Sequence, residues 1–154
     1  MERKLHSLVD NADIWRFQRY LPNDRDPALV ILKCHLLIEE LLRGLVDRCV
    51  KEPSALNDAR LSFNQYRCLA KALIAHPKFD WLWEAIKKLN TVRNALSHNL
   101  EPHEVDDRIA ELINYVKANN PFNHVSIKEL SELELTLFRM HITLSAAKNS
   151  EEKP

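Results

Sequence analysis

The stretch DPALVILKCHLLIEELLRGLVDRCV, residues 26–50, decides the fold class. Asp26 ahead of Pro27 is a helix start: a carboxylate accepts from the first free backbone N–H groups, and proline fits the first helical position, where its missing N–H is no loss. From Ala28 to Val50 only Gly44 weakens the helix, and this is the most hydrophobic element of the chain. Lys51-Glu52-Pro53 ends it.

Outward from that helix the same grammar repeats. On its N-terminal side, beyond the loop Asn23-Asp24-Arg25, Leu5, Leu8, Ala12 and Trp15 recur at helical spacing and predict a first amphipathic helix ending near Tyr20-Leu21-Pro22. On the other side, Ser62 with Gln65 forms a capping box for a third helix through Ala75, closed by His76-Pro77. Asp80 is expected to cap a fourth helix ending near Asn99, and Pro102 to open a fifth, with Val105, Ile109, Leu112, Ile113 and Val116 on one face. It stops at Asn119-Asn120-Pro121. Ser126 with Glu129 predicts the start of a sixth, with Leu130, Leu133, Leu137, Met140 and Leu144 as a seam for the bundle or for a second subunit. The polar tail 149–154 is expected to fray.

One glycine in 154 residues leaves almost no material for β turns. The expectation is an all-α fold: one domain over residues 1–154, a bundle of about five to six helices with an up-and-down core. Twenty-two basic residues balance 22 acidic ones, so no global field draws the chain to a polyanion. Cys34, Cys49 and Cys68 lack CxxC spacing, against a disulfide framework and a zinc site. A charged N-terminus without a long apolar run, and no membrane-length apolar stretch, predict a cytoplasmic protein with no signal peptide and no membrane partner.

The fourth helix contains a charge out of place. Leu82, Ile86, Leu89, Arg93, Leu96 and Leu100 fall on one stripe, so Arg93 interrupts an apolar seam. A guanidinium cannot be neutralised, so this position calls for a carboxylate or a ligand anion. On the second helix Glu39, four residues after His35, is the candidate partner, while Lys33, Glu40, Arg43 and Asp47 form a solvated stripe. Asn94 and His98 stack four apart beside the seam, with Lys87 and Asn90 on the same side. On spacing alone, a C-terminal histidine favoured by the helix dipole and an asparagine facing solvent are the simpler explanation of these two.

The hexapeptide Arg93-Asn94-Ala95-Leu96-Ser97-His98, together with His35-Leu-Leu-Ile-Glu-Glu-Leu-Leu on the second helix and Leu89-Asn-Thr-Val ahead of Arg93, resembles the HEPN superfamily. That family shares a helical bundle and a motif of Arg, four to six residues, then His, often with Asn after the Arg. The resemblance covers roughly residues 26–118. It implies a homodimer whose two motifs face each other, and in many members a metal-independent endoribonuclease acting as a toxin or defence effector, with an antitoxin or regulatory partner possible. RNA would be the substrate, with no cofactor and no metal.

In that reading Arg93, Asn94 and His98 are catalytic. His98 moves a proton to or from the reacting oxygens, Arg93 holds the non-bridging phosphate oxygens, and Asn94 orients the phosphate or the imidazole. Ser97 adds a hydroxyl contact, Glu39 steadies Arg93, and Lys87 and Lys88 supply an RNA-binding patch. Arg93 and His98 diverge by about 140° on an ideal helix, so the two converge most simply across a dimer. A subgroup of the family carries a tyrosine two residues after the histidine; here that residue is Leu100, so regulation through that hydroxyl does not carry over.

Two other functions fit the same residues. One is a non-catalytic helical module binding a nucleotide or a partner protein; the other is a structural dimerisation domain with Arg93 neutralised internally. Trp15, Trp81 and Trp83 are expected in the core, and His6, His76, His103, His124 and His141 carry no assigned role. No GxxxxGK[ST], GxSxG or HExxH motif is present.

Overall fold

The computed structural model describes residues 11–98, 101–121 and 127–150, and these form an all-helical bundle. The elements are α1 (Asn11–Tyr20), α2 (Pro27–Cys49), α3 (Phe63–Ile74), α4 (Asp80–His98), α5 (Pro102–Asn119) and α6 (Glu132–Ser150), with 3-10 turns at Pro53–Leu56 and Pro77–Phe79. None of these helices is long and apolar enough to cross a membrane.

Helix α2 starts as its sequence dictates. Asp26 accepts a hydrogen bond from the Leu29 amide, and Pro27 occupies the first turn. Val30, Ile31, Cys34, Leu37, Ile38, Leu41, Leu42, Leu45 and Val46 then enter one core shared with every other helix. Burial pushes the Cys34 thiol up to about 12, with the nearby Glu134 charge adding to the effect, so it carries no thiolate at neutral pH. All three cysteines are free.

The Ser62/Gln65 capping box of α3 is present with both reciprocal hydrogen bonds. Two other helix starts differ from expectation. Asp80 is already helical, because the 3-10 turn before it makes the entry; His76 caps that turn through Nδ1, which accepts from the Lys78 amide at 3.2 Å. Helix α6 begins at Glu132, where Ser131 and Glu134 make the box: the Ser131 amide donates to Glu134 and the Glu134 amide to Ser131 Oγ. Ser126 lies outside the described residues, and Glu129 and Leu130 stand in the turn before the helix. The choice between the two Ser-x-x-Glu frames is tertiary, since buried Glu134 also accepts from Arg25 at 2.8 Å.

Leu137, Met140 and Leu144 of α6 are buried inside the bundle, chiefly against α2, so this seam is internal rather than free for a second subunit. Ala75 ends α3 in the left-handed conformation (φ 40°) that glycine usually supplies. Gly44 has a packing reason: a Cβ there would stand 3.2 Å from Cε and Nζ of Lys148 on α6.

Helix α1 docks by a face other than the one its spacing suggested. Phe17 is fully buried, edge-on to Phe138 and tilted against His141, whereas Ala12 and Trp15 point outward. Leu5 and Leu8 lie outside the described residues. The aromatic pair and the hydrogen bonds that Asp13 makes with α6 fix the rotation of α1, and Trp15 loses its expected core position. Trp81 and Trp83 are buried as expected.

Candidate functional site

The site sits on the last turns of α4. Leu82, Ile86 and Leu89 are buried along the seam, and Arg93 follows half-buried at the next step. Its nearest hydrogen-bond acceptor is the Asn94 side-chain oxygen at 3.4 Å, the weak end of hydrogen-bond geometry. None of the ion pairs among the described residues includes Arg93.

Glu39 is partly embedded, but its ion pair is with Arg43, four residues along the same helix at 2.7 Å. The expected Glu39–Arg93 pair is replaced because Arg43 is held nearby: its guanidinium also stacks 4.8 Å over the Tyr66 ring. Arg43 thus joins α2 to α3 instead of standing in a purely solvated stripe.

The group that joins α2 to the motif helix is His35. Its ring is 6% exposed, stacked on Phe63 at 4.0 Å, and its Nε2 donates to Asn90 Oδ1 at 3.0 Å. Asn90 therefore turns inward and leaves the polar cluster expected beside Asn94. Burial lowers the His35 pKa from the ordinary imidazole value; the Asn90 bond and Glu39 oppose that, and Arg93 reinforces it. A neutral His35 between Glu39 and Arg93 keeps a second cation away from the guanidinium.

Asn94, Ser97 and His98 are exposed. Ser97 Oγ donates to the Arg93 carbonyl at 3.2 Å, which uses its proton within the helix and leaves only lone pairs for a ligand. His98 makes no hydrogen bond or ion pair among the described residues, and nothing there orients its imidazole. Lys87 is exposed, but Lys88 is engaged: its ammonium pairs with Glu111 at 3.1 Å and lies 5.4 Å over the Tyr115 ring, clamping α4 to α5. The shallow groove at this clamp has Lys87, Thr91 and Arg108 as further walls, with Glu84 and Glu111 offsetting part of their charge.

The structure thus brings Arg93, Asn94 and His98 together at the C-terminal end of α4, leaves Lys87 exposed about two turns before Asn94, and assigns Lys88, Glu39 and Ser97 contacts inside the fold. Sequence reasoning underused His35; the signal was a histidine within an otherwise apolar stripe of α2. Among the described residues no three histidine, cysteine, aspartate or glutamate side chains gather as a metal-holding set. Compared with protein-family models, with curated proteins and with solved structures, the chain finds no match.

Proposed function

We propose that this protein is a metal-independent endoribonuclease of HEPN type, acting as a homodimer with Arg93, Asn94 and His98 at its centre. The observation that carries the reading is Arg93: a permanent cation at the end of an apolar seam, half-buried and without a carboxylate partner among the described residues. Such a cation is set to receive an anion, and planar guanidinium suits two oxygens of one phosphate.

RNA contains its own nucleophile. When the 2′-oxygen attacks phosphorus, the 2′-O–P bond forms, the P–O5′ bond breaks, one proton leaves the 2′-hydroxyl and one reaches the departing 5′-oxygen. His98 exchanges those protons, Arg93 neutralises the non-bridging oxygens as charge builds, and Asn94 adds a hydrogen bond to the phosphate. Pairing Arg93 of one copy with His98 of the other meets the divergence of the two side chains on one helix. His35 and Asn90 hold α4 against α2 behind the guanidinium.

The test is incubation of the purified protein and its His98→Ala variant with RNA in excess EDTA, with analysis of the 3′ ends. Cyclic-phosphate ends made by the unaltered protein and reduced about 100- to 10,000-fold in the variant are the expected result, the range a positioned acid–base group supplies. Intact RNA in both would overturn it.

A second reading is favoured by the free imidazole. Among the described residues His98 has no neighbour orienting it, as a proton-transfer group usually has, and in a binding module that arrangement needs no explanation. The module would hold a nucleotide phosphate on Arg93, and binding would survive His98→Ala.

A further inference from the structure

Trp15 is the most exposed large hydrophobic residue described, at 71%, although α1 itself is firmly docked. Its inner face holds Phe17 in the core, its Asp13 accepts from Ser145 at the carboxylate and from His141 Nε2 at the carbonyl, and its Arg16 pairs with Glu40. The exposure of Trp15 is therefore a property of a fixed helix face. Most of the indole stands in water on a fixed helix, where its flat face is open to a ligand.

The charges around the indole are sorted. Arg19 is four residues from Trp15 and shares its face, about 6 Å along the axis. It is exposed and forms no ion pair among the described residues. Tyr20, 45% exposed, stands beside it with the Arg16 guanidinium 5.8 Å over its ring. Arg16 is offset by Glu40, and the Asp13 carboxylate is turned to Ser145, which among the described residues of this face leaves Arg19 as the uncompensated charge. The indole and the Arg19 guanidinium border one open groove, and a flat apolar face beside such a cation suits a ligand that alternates flat rings with negative charge. A second copy of the chain or an acyl surface would call for a broad aliphatic face, and among the described residues this one offers Ala12 alone beside its aromatic and charged groups.

We propose that the outer face of α1 binds single-stranded RNA, with a base stacked on Trp15 and an adjoining phosphate held by Arg19. The surface rests on the reading of RNA as this protein's ligand, and adds to the α4 motif a separate place where a strand is held. Stacking of this kind tolerates any base, so the surface supplies affinity without sequence preference.

A 2′-O-methyl oligonucleotide of about 12 nucleotides, within the usual span of single-strand sites, is a probe that 2′-hydroxyl attack cannot cut. Because Trp81 and Trp83 are buried, quenching of tryptophan fluorescence on titration reports Trp15. The expected result is quenching in the unaltered protein, about tenfold weaker binding by Trp15→Ala measured by anisotropy, and partial retention by Trp15→Phe. Arg19→Ala should lower the slope of log affinity against log salt by about one phosphate contact.

Unchanged affinity and salt slope in Trp15→Ala and Arg19→Ala would overturn the surface; His98-dependent cleavage in the same preparations would then show the nuclease reading still standing. Quenching that depends on Trp15, with natural RNA left intact, would uphold the surface and remove the nuclease reading. Loss of a dimer by light scattering in Trp15→Ala, with no oligonucleotide bound by the unaltered protein, would assign the face to a second copy and overturn the proposal.

Discussion

Helices α4 and α6 are both 19 residues long, and both carry polar groups among apolar ones, yet they dispose of them in opposite ways. In α6 nearly every buried polar side chain has a partner, Glu134 with Arg25 and Ser131, Thr136 and Thr143 with carbonyls one turn back, Ser145 with Asp13, and His141 through Nε2 with the Asp13 carbonyl, while among the described residues His141 Nδ1 is left without a hydrogen bond. At the end of α4, Arg93 has only its neighbour Asn94, and His98 has nothing among the described residues. Polar groups satisfied within the chain hold structure together, whereas unsatisfied ones at a surface are available to a ligand. The comparison separates the residues of the fold from candidates for function without any appeal to relatives.

The sharpest way to break that comparison is Arg93→Leu. Apolar replacement should extend the α4 seam and leave stability unchanged or raised by up to about 1 kcal/mol in urea titration, while RNA cleavage falls about 100- to 1,000-fold. A parallel loss of stability would mean that Arg93 is structural. The counterpart in α6 is Leu144→Ala, which should cost about 2–5 kcal/mol as a fully buried side chain, read from the same titrations.

Acid provides a graded test. His35 and His141 are both buried, and burial is the first cause lowering each pKa. The unfolded chain then takes up protons that the native state refuses, so the stability these residues retain is complete above about pH 6.5 and is lost as pH falls through that value. Each histidine contributes a slope of up to about 1.4 kcal/mol per pH unit. Thermal denaturation between pH 7.5 and 5 should show a falling midpoint, and His141→Gln should flatten the curve.

Smaller effects refine the assignments. A double-mutant cycle on Glu39 and Arg43 should return about 0.3–0.5 kcal/mol, as for an exposed pair one turn apart, whereas Glu39 and Arg93 should be additive. Gly44→Ala should gain a few tenths of a kcal/mol, because the helix preference for alanine outweighs displacing the flexible end of Lys148. A destabilised Gly44→Ala would mean that Lys148 cannot move.

What was legible in the chain was local. Asp26-Pro27 and Ser62 with Gln65 mark helix starts because a cap and its N–H partner lie within three residues. Arg93 was legible for a similar reason, as a charge at an apolar position on one helix. What failed was long-range. Ser126/Glu129 and Ser131/Glu134 are the same pattern, and Arg25, more than a hundred residues away, favours the second. Glu39 was assigned across helices when Arg43 stood one turn away, and Trp15 was assigned inward because nothing local reveals that Phe17 meets Phe138.

The burial of α6 bears on how the chain comes into being. Synthesis runs from the N-terminus, so α6 is the last of the six helices to leave the ribosome, and it supplies core residues to helices made long before it. The nascent chain therefore leaves uncovered, until α6 has emerged, the parts of α2 and α4 that α6 packs against, and the motif helix reaches its final packing only then.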